Sequence, residues 1–151
     1  MKPLSATEAL AKAANLCAKG EHCAADIREK LFQWGFDGDA DSIISKLVQQ
    51  DFINEVRYTH AYIHDKYCFA KWGRVKIEQG LRLKQISSAT IHQQMEEVID
   101  KEVYTQNLRD LLQQKRKTLQ GNDNFQIKTK LVRFALQRGF TYEEVFCNID
   151  D

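Results

Sequence analysis

The sequence predicts an all-α fold: a tandem array of three three-helix repeats forming a curved, elongated, solenoid-like domain. Three observations predict it. Proline occurs once, at Pro3, so no residue from Leu4 to Asp151 is barred from a helix by ring geometry. A helix-ending dipeptide recurs as Gly35-Phe36, Gln85-Ile86 and Gly139-Phe140, a period of about 50 to 54 residues, as in stacked repeat proteins. Nine positions before its second member lie Ile27, Ile77 and Leu131, and five positions before it lie Leu31, Leu81 and Ala135. These form one apolar stripe copied three times, and the repeats are expected at 1–54, 55–102 and 103–151.

Each element has a local reason. Ser5 and Glu8 form a capping box that opens the first helix, and Gly20 ends it. Ala24, Ile27, Leu31 and Trp34 step by three or four along the second helix, which Gly35 stops, while the third carries Ile44, Leu47 and Val48. Asn54 caps the fourth helix, Ser88 the sixth, and Thr141 with Glu144 opens the ninth. The segment 119–124 is expected to be the longest loop. After the dipeptide, Ile91 and Val145 follow by five and Met95 and Ile149 by nine, whereas Ile44 and Val48 follow by eight and twelve. A three-residue insertion, Asp37-Gly38-Asp39, is expected to account for that offset.

Composition excludes several function classes. The start, Met1 to Ser5, has no apolar signal core, and no run approaches the roughly 18 apolar residues of a membrane span, so a cytoplasmic protein with no membrane partner is expected. Cys17, Cys23, Cys68 and Cys147 lack paired metal spacing and are expected as free thiols, the three in helical patterns as small core residues. His60 and His64 have the spacing of two zinc ligands on one helix face, but a third ligand and the glutamate of a zinc-protease motif are missing, which leaves two surface histidines. No glycine-rich phosphate loop or dinucleotide fingerprint is present. Neither catalysis, a cofactor nor a metal is expected.

Charge is what remains. The net charge is +1, yet residues 1–54 carry −2 and residues 103–151 carry +2. Lys71, Arg74, Lys76, Arg82 and Lys84 cluster along the fifth helix, opposed there only by Glu78. Lys115, Arg116, Lys117, Lys128, Lys130, Arg133 and Arg138 form a second group against Asp123 alone. Both are candidate faces for phosphates or for an acidic protein surface. Trp34, Phe134 and Phe140 fit the core better than a base-stacking platform.

The segment from Phe52 through Asn54, Glu55, Arg57 and Tyr58 to Ile63 resembles the signature at the first junction of the RecX family. Gly73-Arg74-Val75-Lys76-Ile77 and Arg138-Gly139-Phe140-Thr141 resemble its second- and third-repeat motifs, in order, and the likeness runs from about Glu8 to Ile149. Gly80 stands where the family usually has glutamate, Gln85 where it has glycine, and Cys23 where a serine cap is common. The resemblance implies a monomeric regulator that binds the RecA recombinase and its single-stranded DNA filament, inhibiting filament growth, ATP hydrolysis and strand exchange. Direct contact with DNA is expected to be weak. Arg57 and Tyr58 are expected to pack and pair locally, leaving partner contact to the basic residues. The alternative is a sequence-tolerant nucleic-acid-binding helical module.

Overall fold

Local chemistry sets most of the helix boundaries. The computed structural model describes residues 3–149; Met1 and Lys2, within the expected leaderless start, and Asp150 and Asp151, at the end of the third repeat, lie outside the described residues. Among the described residues there are nine helices and no strand. They are α1 (Ala6–Lys19), α2 (Ala24–Gln33), α3 (Ala40–Gln49), α4 (Glu55–Cys68), α5 (Arg74–Leu83), α6 (Ser88–Val98), α7 (Lys101–Lys117), α8 (Asn124–Gln137) and α9 (Tyr142–Asn148). The Ser5 hydroxyl accepts the Glu8 N–H at 3.1 Å while Glu8 accepts that of Ser5 at 3.3 Å, and Thr141 and Glu144 do the same at the start of α9. Asn54 caps α4 by accepting the Arg57 N–H at 2.9 Å.

The recurring dipeptide makes one turn three times. Gly35, Gln85 and Gly139 have φ of 76°, 64° and 99°, in or near the left-handed region. The next residue then donates back across the last helical turn: Phe36 to Leu31, Ile86 to Leu81 and Phe140 to Ala135, at 3.0, 3.2 and 3.1 Å. Gln85 holds this geometry without being glycine.

Register after the turn differs from the sequence expectation. Asp39, Ser87 and Thr141 are the caps of α3, α6 and α9, so the first copy carries two extra residues, not three. Ile43 and Leu47 are buried at the positions of Ile91 and Met95, whereas Val48 is half exposed. Ser87 replaces Ser88 as the cap of α6 because the chain is still extended at Ser87 and helical by Ser88. The connection 118–123 is no longer than 34–39, and α7 begins at Lys101, so the expected division at 102/103 falls inside its first turn. Cys147 is exposed instead of in the core, and Cys17 and Cys68 are only partly buried.

Helices pack mainly against the other two of their own triplet. Ala9, Ala13, Ile27, Leu31, Ile43 and Leu47 close one core within α1–α3, while α4–α9 share a second, continuous core to which Cys23 is the fully buried contribution of the first triplet. The surface area of 9635 Å² exceeds the roughly 7,900 Å² scaling value for a compact 17.5 kDa monomer, as an extended array requires.

Candidate functional site: junctions and basic faces

Two of the motif segments meet at the junction of the second and third triplets. The Gly73 N–H donates to the Arg138 carbonyl at 2.7 Å, and the Val75 N–H to the Gly139 carbonyl at 3.0 Å. A Cβ on Gly73 would lie 2.3 Å from the Gly139 carbonyl, so only glycine admits this approach of two backbones. The first free N–H of α5 is satisfied by Tyr104, whose hydroxyl accepts from Arg74 at 3.0 Å. The Arg74 guanidinium lies over the Tyr104 ring at 4.5 Å, 3.8 Å from Glu144. Burial pushes the Tyr104 phenol well above its ordinary pKa, so it stays protonated. Tyr67 adds a second bridge: its hydroxyl accepts the Asp100 N–H at 3.2 Å and its carbonyl accepts from Asn107 at 2.9 Å.

The first junction is held by charge. Lys84 reaches from the end of α5 to Asp26 on α2, with Nζ to Oδ1 at 2.7 Å, and the Cys23 N–H donates to the same carboxylate at 3.3 Å. Burial alone would raise the Asp26 carboxyl, but the Lys84 and Cys23 hydrogen bonds outweigh it and hold it below its usual range. The same hydrogen bond raises Lys84. Arg57 bonds Glu21 across the junction and Asp51 at 3.1 Å, and donates to the Asp51 carbonyl at 2.9 Å. The expected local pairing of Arg57 is with Asp51, while its bond to Glu21 fastens two triplets; Tyr58 is buried with its ring 6.0 Å from that of Tyr62.

Folding redistributes the basic residues. Arg74, Arg82 and Lys84 face Glu144, Glu78 and Asp26, so acids from α2 and α9 offset a cluster that along α5 had met only Glu78. Lys76 lies 4.3 Å from the centre of the Trp72 ring and Lys66 4.7 Å from it. Lys71 closes that turn with φ of 56°. In the third triplet, Lys115 and Arg138 lie over the Phe134 ring at 5.4 and 5.1 Å. Arg138 is the residue whose carbonyl receives the Gly73 N–H, so the Trp72 and Phe134 groups flank one junction. Lys115, Arg116 and Lys117 occupy the last turn of α7, where cations complement the helix dipole. Lys130 reaches Asn122 at 3.3 Å, Lys128 lies 5.8 Å from the centre of the Phe146 ring, and Arg133 is exposed on α8.

Lys66 escaped the sequence reading because it is six residues from Trp72, off any helical repeat. The turn after α4 joins them: the Trp72 N–H donates to the Lys66 carbonyl at 2.9 Å. Phe140 is buried in the core as expected, while Phe134 and Trp34 pack against the two cores and stay partly exposed. His60 and His64 are exposed, and no group of three or more metal-ligating side chains occurs among the described residues. Burial raises the Cys23 thiol, which makes it a poor nucleophile. No helix among the described residues is long and apolar enough to cross a membrane.

Known proteins share this fold. The family model for the second three-helix domain of RecX matches residues 54–95, and that for the third matches 102–147. A regulatory protein RecX from Haemophilus ducreyi is 31% identical over 138 residues, covering 90% of this chain and 86% of the relative. One from Clostridium acetobutylicum is 29% identical over 124 residues, covering 80% of this chain; the chain spans 57% of that relative's length, and 55% of the one from Clostridium tetani. The crystal structure of RecX from Lactobacillus salivarius superposes with a TM-score of 0.79 at 18% identity, covering 94% of this chain and 92% of that one. A second, titled as a regulatory protein RecX, gives 0.84 at 19% identity, covering 96% and 75%.

Proposed function

Since the chain belongs to the RecX family of regulatory proteins, we propose that it binds the RecA recombinase on single-stranded DNA and inhibits filament growth, ATP hydrolysis and strand exchange. The observation that carries the reading is the basic and aromatic face around the second junction. There Lys66 and Lys76 flank Trp72, and Lys115 and Arg138 flank Phe134. Cations resting on rings keep their charge toward solvent while their stems cover apolar surface, an arrangement suited to acidic side chains or phosphates. An extended array reaches across neighbouring protomers of a filament, and its charge runs from −2 in residues 1–54 to +2 in residues 103–151, which orients it.

Inhibition of DNA-stimulated ATP hydrolysis by RecA is the direct assay. Wild-type protein lowers the rate at micromolar concentration, and the combined Lys66→Glu, Lys76→Glu and Lys115→Glu variant loses at least about tenfold in potency, equivalent to 1.4 kcal/mol. A wild type without effect overturns the function. A fully inhibitory variant moves the contact to another face. The second reading, a sequence-tolerant nucleic-acid module, draws on Trp72 between two lysines; its mark is tight binding to bare single-stranded DNA, with a salt slope of about 0.7 per phosphate contact.

A further inference from the structure

The two junctions of the array are built differently. At the second, the Gly73–Arg138 and Val75–Gly139 backbone hydrogen bonds and one continuous core join the triplets. At the first, no backbone-to-backbone hydrogen bond crosses between α1–α3 and α4–α9 among the described residues. The first triplet keeps a core of its own and, among those residues, lends the other core Cys23, fully buried, and Ala25, partly buried. The joint is also incompletely filled. A cleft of about 450 Å³ lies between Ala24, Ala25 and Val48 of the first triplet and Val56, Lys84 and Ile86 of the second, a space that a close-packed joint would not leave.

We propose that the first triplet is a hinged arm, latched to the array by the Lys84–Asp26 and Arg57–Glu21 ion pairs and released when those pairs are screened. All four side chains are partly exposed, so salt weakens both pairs, whereas apolar burial and hydrogen bonds between neutral groups are not screened. The second carboxylate oxygen of Glu21 is buried without a protein hydrogen-bond partner, so docking the arm desolvates a charge that the joint does not fully satisfy. The pivot is the start of α4. Ile53 is buried in the first core and Tyr58 in the second, and between them Asn54 and Arg57 bond back to Asp51 at 3.2 and 3.1 Å, local contacts that survive rotation of the arm. Opening gives up the packing of a thiol and a methyl group. Parting the second and third triplets would instead break their backbone bonds together with the Arg74–Tyr104 and Asp100–Tyr67 hydrogen bonds. The arm carries −2 over residues 1–54 against +2 over residues 103–151, so the hinge sets how the acidic end lies relative to the basic one.

The proposal does not rest on the RecA reading, and its test contains no RecA. Residual dipolar couplings of the ¹⁵N-labelled full chain, aligned in a neutral stretched gel, give the degree of order of each triplet separately. In about 0.1 M salt the three triplets are expected to share one order. In about 1 M salt, where the screening length falls from about 10 to about 3 Å, the order of the first drops at least about 1.5-fold while the second and third stay equal. Glu21→Gln/Lys84→Gln shows that drop already in the lower salt. Arg82→Gln, which removes the Glu78 pair inside the second triplet, does not. Equal order of all three triplets in high salt and in the double variant overturns the proposal, as does an arm already loose in the wild type at low salt. So does equal loosening of the second junction, or a drop accompanied by loss of helical circular dichroism, since the first triplet would then be melting instead of turning.

Discussion

Replacing Gly73 with alanine should uncouple the second and third triplets. The added Cβ would sit 2.3 Å from the Gly139 carbonyl carbon and oxygen and 2.4 Å from the Phe140 nitrogen, all backbone atoms that no side-chain rotation moves aside. Relief requires the start of α5 to withdraw from the α8–α9 turn. Withdrawal breaks the Gly73–Arg138 and Val75–Gly139 hydrogen bonds, of 2.7 and 3.0 Å. Each is worth about 1 kcal/mol net, and up to about 3 kcal/mol if the abandoned group stays buried, so the expected loss is about 2 to 6 kcal/mol. Gly20→Ala is the control: its φ of 178° is extended and nothing lies within 4 Å of a Cβ there. That change should be neutral or stabilising by a few tenths of a kcal/mol. Urea unfolding followed by tryptophan fluorescence compares the variants, with Trp72 beside the junction reporting its opening. A Gly73→Ala protein within about 1 kcal/mol of wild type would refute the claim that backbone approach holds this junction.

Three further outcomes follow from local geometry. Gln85→Gly should raise stability by about 1 kcal/mol, because φ of 64° strains any residue with a Cβ; a lower unfolding midpoint would contradict this. The Asp26–Lys84 bond should contribute about 1 kcal/mol across neutral pH, its partial exposure limiting the gain. Asp26 is depressed in the fold, so its contribution is complete above the unfolded carboxyl value of about 3.9 and disappears as pH falls through the lower folded value. Lys84 is raised, so its share persists below about 10.4 and is lost as pH climbs through the higher folded value. Comparing wild type with Asp26→Asn from acid to neutral pH checks the sign, since the gap should close on acidification. Tyr104→Phe should cost about 1 to 2 kcal/mol in the same unfolding assay by leaving the Arg74 N–H without its acceptor.

The departures from the family pattern show how far local reading goes. A mid-helix Gly80 reads as a defect costing about 1 kcal/mol, yet a Cβ there would lie 2.0 Å from the Tyr62 hydroxyl, so glycine makes room for a ring from the preceding helix. By propensity Gln85 is a poor residue for the turn, and the Ile86 N–H bond to Leu81 with burial of Ile86 holds it there. Cys23 is a poor cap by its side chain, but its N–H serves Asp26 and its thiol fills the joint between the two cores. The Tyr62 ring and the core that the Cys23 thiol enters are distant in sequence, whereas the Leu81 and Asp26 partners lie within five residues.

The amino-acid sequence by itself determined the helices, most of their caps, the triplicate turn and the buried stripe. These depend on interactions between residues three to five apart, which repeat visibly along a chain. Only the tertiary structure decided which charges remain available. Lys84 and Asp26 are 58 residues apart and Arg57 and Glu21 are 36 apart, so a cluster that is basic along one helix becomes a set of junction fasteners once folded. The two-residue register of the first copy and the contact of Gly73 with Gly139 belong to the same class. They arise from how triplets meet, and pairwise geometry across long separations leaves no period for a sequence to display.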